Sequence, residues 1–249
     1  VPTDRLPILI GTIVAITGFA TLSVVLGIHR GIQRLASFNM WLALLLFVFV
    51  LVAGPTLFIV NTFTSTLGTY IQELPYLSFW VDADPEASWQ RNWTFFYWSW
   101  WISWSPFVGV FVARVSFGRT VREFVLSVLF VPTLVTFLWL SVMGGAGLEQ
   151  IYLAGAEIAA PIVNTPATAL HEMLSNLPIA AITSVLATLL IVVFFISSSD
   201  SGSLVDDMVT SGGHPNPPRL QRVFWAVAEG TVAAVLLYAG GKSGLEALR

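Results

Sequence analysis

The stretch from Trp93 to Phe107, WTFFYWSWWISWSPF, holds the side chains best suited to chemistry, and half of the chain's ten tryptophans fall between Trp93 and Trp104. On a helix, Trp93, Tyr97, Trp100, Trp101 and Trp104 stand at i, i+4, i+7, i+8 and i+11, which is one face. An indole face carries negative quadrupole potential and attracts a cation by about 0.5–2 kcal/mol, more where water is excluded. A quaternary ammonium group has no N–H to donate, so ring faces suit it better than a carboxylate does. The stretch contains no carboxylate, which fits a zwitterion that carries its own. The competing reading is an aromatic belt at a membrane–water interface. It accounts for Trp89, Trp93 and Trp98, but poorly for Trp104, which at 1.5 Å per residue lies about 16 Å deeper than Trp93. No His, Met or acid lies on this stretch to hold a haem or a metal.

A second group of polar residues closes a long apolar run: Phe194, Phe195, Ile196, Ser197, Ser198, Ser199, Asp200 and Ser201 (FFISSSDS). Hydroxyls and free carbonyls at a helix C-terminus, where the dipole is negative, offer hard oxygens to Na⁺. The plainer alternative is a helix end hydrating itself with small polar residues. Asp200 reads as a solvated cap, or else as an acid that relays protons at the membrane edge. His29, His171 and His214 fall in connecting segments and read as surface. A hydrolase built on Ser201, Asp200 and a histidine is disfavoured, because no G-x-S-x-G spacing surrounds the serine. The loop charges described below also put His171 and Ser201 on opposite sides of a membrane.

The elements that must position these residues are membrane helices. The chain is 56% hydrophobic and 10% charged, against about 25% charged in soluble domains, so it cannot build a polar shell. A bilayer core takes roughly 20 apolar residues in a helix. Six spans are expected, at residues 6–28, 40–60, 93–113, 124–143, 178–197 and 223–239; the last is shorter and carries Glu229. Pro55, Pro106 and Pro132 lie inside spans, and Gly54-Pro55 is the expected kink. Arg30, Arg34, Arg114, Arg119, Arg122, Arg219 and Arg222 mark alternate loops, and the acids Glu73, Asp82, Asp84, Glu86, Glu149, Glu157 and Glu172 mark the others. The Lys/Arg bias sets the cytoplasmic side, so residue 1 is expected outside. Residues 62–73 and 154–174 have helical spacing and are expected to lie on the surface or re-enter as short helices. There is no cysteine, and a net charge of −3 gives no case for nucleic acid. A start at Val1, without Met and just ahead of an apolar run, leads to the expectation of a piece of a longer protein.

The run from Trp93 to Glu123, WTFFYWSWWISWSPFVGVFVARVSFGRTVRE, resembles the signature of the betaine/carnitine/choline transporter (BCCT) family. Gly54-Pro55-Thr56 with Asn61, Gly144-Gly145 and Phe194 to Ser201 extend the likeness through nearly the whole chain. The resemblance implies an all-α integral membrane fold, part of a twelve-helix secondary transporter of the inverted-repeat, amino-acid-transporter type. This chain would cover roughly the sixth to eleventh helices. It implies uptake of a quaternary ammonium compatible solute (glycine betaine, choline or carnitine), with no enzyme activity and no organic cofactor. Trp100, Trp101 and Trp104, with Tyr97 on the same face, match the substrate cage. Phe107 matches an aromatic beside a cation site, and Ser197 and Ser198, with Phe194 nearby, match a site for Na⁺ as coupling ion. Where the family often has Thr-Ser this chain has Ser-Ser, so the hydroxyls survive. Arg114, Arg119 and Arg122 match a basic cytoplasmic end, equally read as plain inner-face anchors. A homotrimer in the lipid bilayer is also implied. Proton-coupled choline uptake, solute antiport and a transport-inactive sensor remain as alternatives.

Overall fold

A computed structural model of the chain describes residues 6–26, 33–84, 88–153, 160, 167–214 and 217–247. The described residues are helical: α1 (Leu6–Leu26), α2 (Gln33–Ala53), α3 (Thr56–Phe79), α4 (Phe96–Val115), α5 (Val121–Leu153), α6 (Ala169–Ser175), α7 (Ala180–Thr210) and α8 (Arg219–Ala247). They form two compact units, Val1–Ala43 with Thr188–Arg249, and Leu44–Ala187.

Local chemistry sets the boundaries. Pro55 lacks the N–H that would reach the Leu51 carbonyl, and the Thr56 hydroxyl donates to that carbonyl instead, at 2.6 Å. A Cβ on Gly54 would stand 2.5 Å from the Val50 oxygen, so only glycine allows the break. The stretch expected as one span over 40–60 is therefore two helices, with α3 absorbing residues 62–73 and running on to Phe79. At the start of α5, Thr120 and Glu123 form a reciprocal cap: Thr120 N donates to Glu123 Oε2 at 3.0 Å, and Glu123 N to Thr120 Oγ1 at 3.3 Å.

Among the described residues, five helices are long and apolar enough to cross a membrane: α1, α2, α5, α7 and α8. The tryptophan-rich α4, expected as a span over 93–113, falls short in apolarity because its indoles and serines carry polar atoms. α5, α7 and α8 each extend well beyond the apolar runs at 124–143, 178–197 and 223–239. Residues 27 and 28 of the first expected span lie outside the described residues. Large apolar side chains such as Phe19, Leu22, Leu129, Ile182 and Val185 are exposed along these helices; hydrocarbon can cover such surface, and water cannot do so cheaply.

In the first unit, α1 packs on α8 and buries Ala20, Ala226 and Leu237. A Cβ at Gly230 would lie 2.0 Å from Thr17 Oγ1 and 2.8 Å from Thr17 Cβ. Gly230→Ala is thus expected to force α1 and α8 apart and destabilise the pair by about 1–3 kcal/mol. Thermal unfolding in detergent checks this, and Thr17→Ala should rescue only part of the loss, since its Cβ stays 2.8 Å away. In the second unit α3 packs on α5, with Ile59 buried against Gly145 and Tyr70 edge-on to Phe137 at 5.3 Å.

Candidate functional site

α4 is entered through a wide, π-helical turn over Gln90–Phe95. Gln90 anchors it, donating from Nε2 to the Trp80 carbonyl at 3.1 Å and accepting the Thr94 hydroxyl at 2.6 Å. Trp80 and Trp89 meet edge to face at 5.0 Å beside it. From there the aromatic side chains form two stacks along the helix. Trp93 lies parallel to Tyr97 at 6.1 Å, and Tyr97 stacks on Trp100 at 6.1 Å. Trp101 tilts on Trp104 at 6.1 Å, and Trp104 stacks on Phe107 at 6.5 Å with 10° between planes.

At 100° per residue the five positions from Tyr97 to Phe107 fall within an arc of roughly 120°, over about 15 Å of helix. The structure thus brings Tyr97, Trp100, Trp101, Trp104 and Phe107 onto one face. No residue of α4 is buried: Trp100, Trp101 and Trp104 are 52%, 59% and 45% exposed. The rings stack on one another, and no other described helix packs against α4. Apart from Arg114 in the last turn, α4 carries no charge, so neither a carboxylate nor an ammonium competes for them.

The serine-rich segment sits in a different setting from the one expected. Residues 197–201 are in the interior of α7, which continues to Thr210, so the argument from free carbonyls at a helix end does not apply. Asp200 is fully buried rather than a solvated cap, and its Oδ2 accepts the Ser23 hydroxyl of α1 at 2.5 Å. Ser197 is half-buried and donates to the Val193 carbonyl at 2.9 Å, leaving its oxygen lone pairs free to accept or ligate. Ser198 is exposed and one turn from the exposed Phe194. The donor types at Ser197 and Ser198 fit a small hard cation, while the helix dipole contributes little there.

Three sets of contacts between α7 and α8 escaped sequence reasoning. Glu229 of α8 accepts the hydroxyls of Ser199 (3.1 Å) and Ser203 (2.9 Å). Arg222 pairs through Nε with Asp207 at 3.0 Å, with Asp207 fully buried. Trp225 donates from Nε1 to Thr210 Oγ1 at 2.9 Å. An i, i+4 spacing of serines facing a membrane glutamate was the available signal for the first.

Compared with known proteins, residues 3–249 match the family described as BCCT, betaine/carnitine/choline family transporter. An uncharacterized transporter of Mycobacterium tuberculosis is 49% identical over 97% of this chain and 40% of its own length. A glycine betaine/proline/choline transporter of Vibrio parahaemolyticus is 45% identical over 95% of this chain and 42% of its own length. The glycine betaine transporter OpuD of Bacillus subtilis is 45% identical over 94% and 46%. The chain thus spans less than half the length of these relatives.

Proposed function

The chain belongs to the betaine/carnitine/choline family of transporters and is a multi-pass protein of the cell membrane, and on that premise we propose that it takes part in uptake of a quaternary ammonium compatible solute. The observation that carries the reading is the aromatic ladder of α4; in the proposal Trp100, Trp101 and Trp104 hold the ammonium head, with Tyr97 beside them. Methylated ammonium sheds water at low cost and offers no hydrogen bonds, so ring faces in a low-dielectric site replace its hydration shell. The names of the Vibrio and Bacillus relatives support glycine betaine and choline as the solute class. The reading extends, by the resemblance in sequence, to a twelve-helix inverted-repeat core assembled as a homotrimer.

Na⁺ is the proposed coupling ion, carried with the solute. Ser197 and Ser198 supply the hydroxyl oxygens, with Phe194 one turn away, and Phe107 continues the aromatic ladder as the residue beside a second cation position. The test is uptake of radiolabelled glycine betaine and choline into proteoliposomes holding the complete transporter, with and without a Na⁺ gradient. Uptake should follow the gradient. Ser198→Ala should raise the Na⁺ concentration at half-maximal rate about tenfold, the loss expected for one oxygen contact to an ion, and leave solute binding at saturating Na⁺ close to wild type. Uptake indifferent to Na⁺ would remove the coupling and leave the solute reading standing.

A further inference from the structure

The junction between α6 and α7 is where the described backbone holds a residue other than glycine at positive φ: Ile179, at 53°. A β-branched residue fits the left-handed region poorly, because its Cβ crowds the neighbouring carbonyl. Such a conformation persists only where the surroundings over-determine it. The side chain of Ile179 does not supply that constraint, since the residue is 58% exposed. The backbone does. Pro178 fixes its own φ and steers Leu177 away from helical geometry. The Ile179 carbonyl accepts the amides of Ile182 and Thr183 at 2.9 and 3.2 Å and so opens α7.

The other end of the junction is tied to α5. Gln150, buried near the end of α5, donates from Nε2 to the Met173 carbonyl at 3.1 Å and accepts on Oε1 from Asn176 Nδ2, also at 3.1 Å. One side-chain amide therefore grips the last turn of α6 and the first residue of the junction together. Between α6 and α5 lies an apolar crevice whose lining includes Gly144, Gly147, Leu170 and Met173. Among the described residues, nothing stands within 4 Å of where a Cβ would sit on either glycine. Gly144 is exposed, so the crevice opens on the surface, while Met173 and Leu174 of α6 are buried.

The geometry points to a strained latch: α6 pivots on residues 176–179, and the Gln150 amide holds it in the arrangement that keeps Ile179 left-handed. Breaking the two amide hydrogen bonds lets Ile179 return to negative φ and releases the end of α6 from α5.

Amide hydrogen exchange of the protein in lipid nanodiscs tests this. Ile179→Gly and Ile179→Asn, both at ease with positive φ, relieve the strain without touching a buried group. The amides of Leu177, Ile182 and Thr183 should then exchange about tenfold more slowly than in the wild type. Gln150→Leu should make the same amides exchange at least tenfold faster. Unchanged or faster exchange in the Ile179 variants overturns the latch, as does unchanged exchange in Gln150→Leu. The exposed Ile179 site keeps the test decisive even if Gln150→Leu does not fold.

Discussion

Trp100→Leu is expected to weaken the apparent affinity of the complete transporter for glycine betaine or choline about tenfold, and Trp104→Leu to do the same. Leucine stays apolar but is smaller and has no quadrupole, so the phenylalanine variant and the Trp98 control below separate the cation–ring attraction from lost bulk. A desolvated indole contributes about 2 kcal/mol to such a contact, and each 1.4 kcal/mol is a factor of ten. Phenylalanine, a weaker ring, should fall between tryptophan and leucine. Trp98 is the internal control. It sits on the same helix and is more exposed still, but at 100° per residue it lies outside the arc of the ladder. Trp98→Leu should leave affinity within about twofold of wild type. Concentration dependence of uptake in proteoliposomes checks the set, and an equal loss at Trp98 would mean that the tryptophans act through packing rather than by facing a cation.

Arg222→Met is expected to cost the fold about 3–5 kcal/mol, because it strands a fully buried carboxylate. Asp207 Oδ2 takes the Arg222 Nε at 3.0 Å, and Asp207 Oδ1 is buried with no hydrogen-bond partner. Once the guanidinium is gone, no other described cation pairs with Asp207. The lost energy is mainly the desolvation of the remaining charge, so removing that charge as well should restore most of it. The double variant Arg222→Met with Asp207→Leu is therefore expected near wild-type stability, since apolar replacement of a buried pair is often neutral or better. Thermal unfolding in detergent reads both, with a drop of order 10 °C for the single change. A double variant as unstable as the single one would show that the pair stabilises through its geometry and not through mutual neutralisation.

Sequence periodicity carried the helical membrane class and the ladder of α4, for the same reason in each case. Spacing on a helix is a property of the chain alone, so Trp93, Tyr97, Trp100, Trp101 and Trp104 fall on one face whatever surrounds them. The kink at Gly54-Pro55 was legible because proline removes a donor wherever it stands. Helix ends were not. The apolar run stops at Ser197, but α7 goes on to Thr210 because its polar residues find partners on other helices: Asp200 on Ser23, Ser199 and Ser203 on Glu229, Asp207 on Arg222. Tertiary pairing keeps those turns helical, and no window of neighbouring residues contains it. For the same reason Asp200 read as a hydrated cap and Arg222 as a charge at the inner membrane boundary. The left-handed Ile179 was equally invisible, since nothing in a Leu-Pro-Ile sequence asks for positive φ.

Competition between choline and its neutral tert-butyl isostere, in which carbon replaces the ammonium nitrogen, tests the aromatic cage most directly. Shape and apolar area are matched, so only the charge on the methylated head differs. Wild-type transporter should favour choline by at least about tenfold, and Trp100→Leu with Trp104→Leu should abolish most of that preference. Equal competition by the two compounds in the wild type, or a preference that survives loss of both indoles, would contradict a cation held on the ring faces of α4.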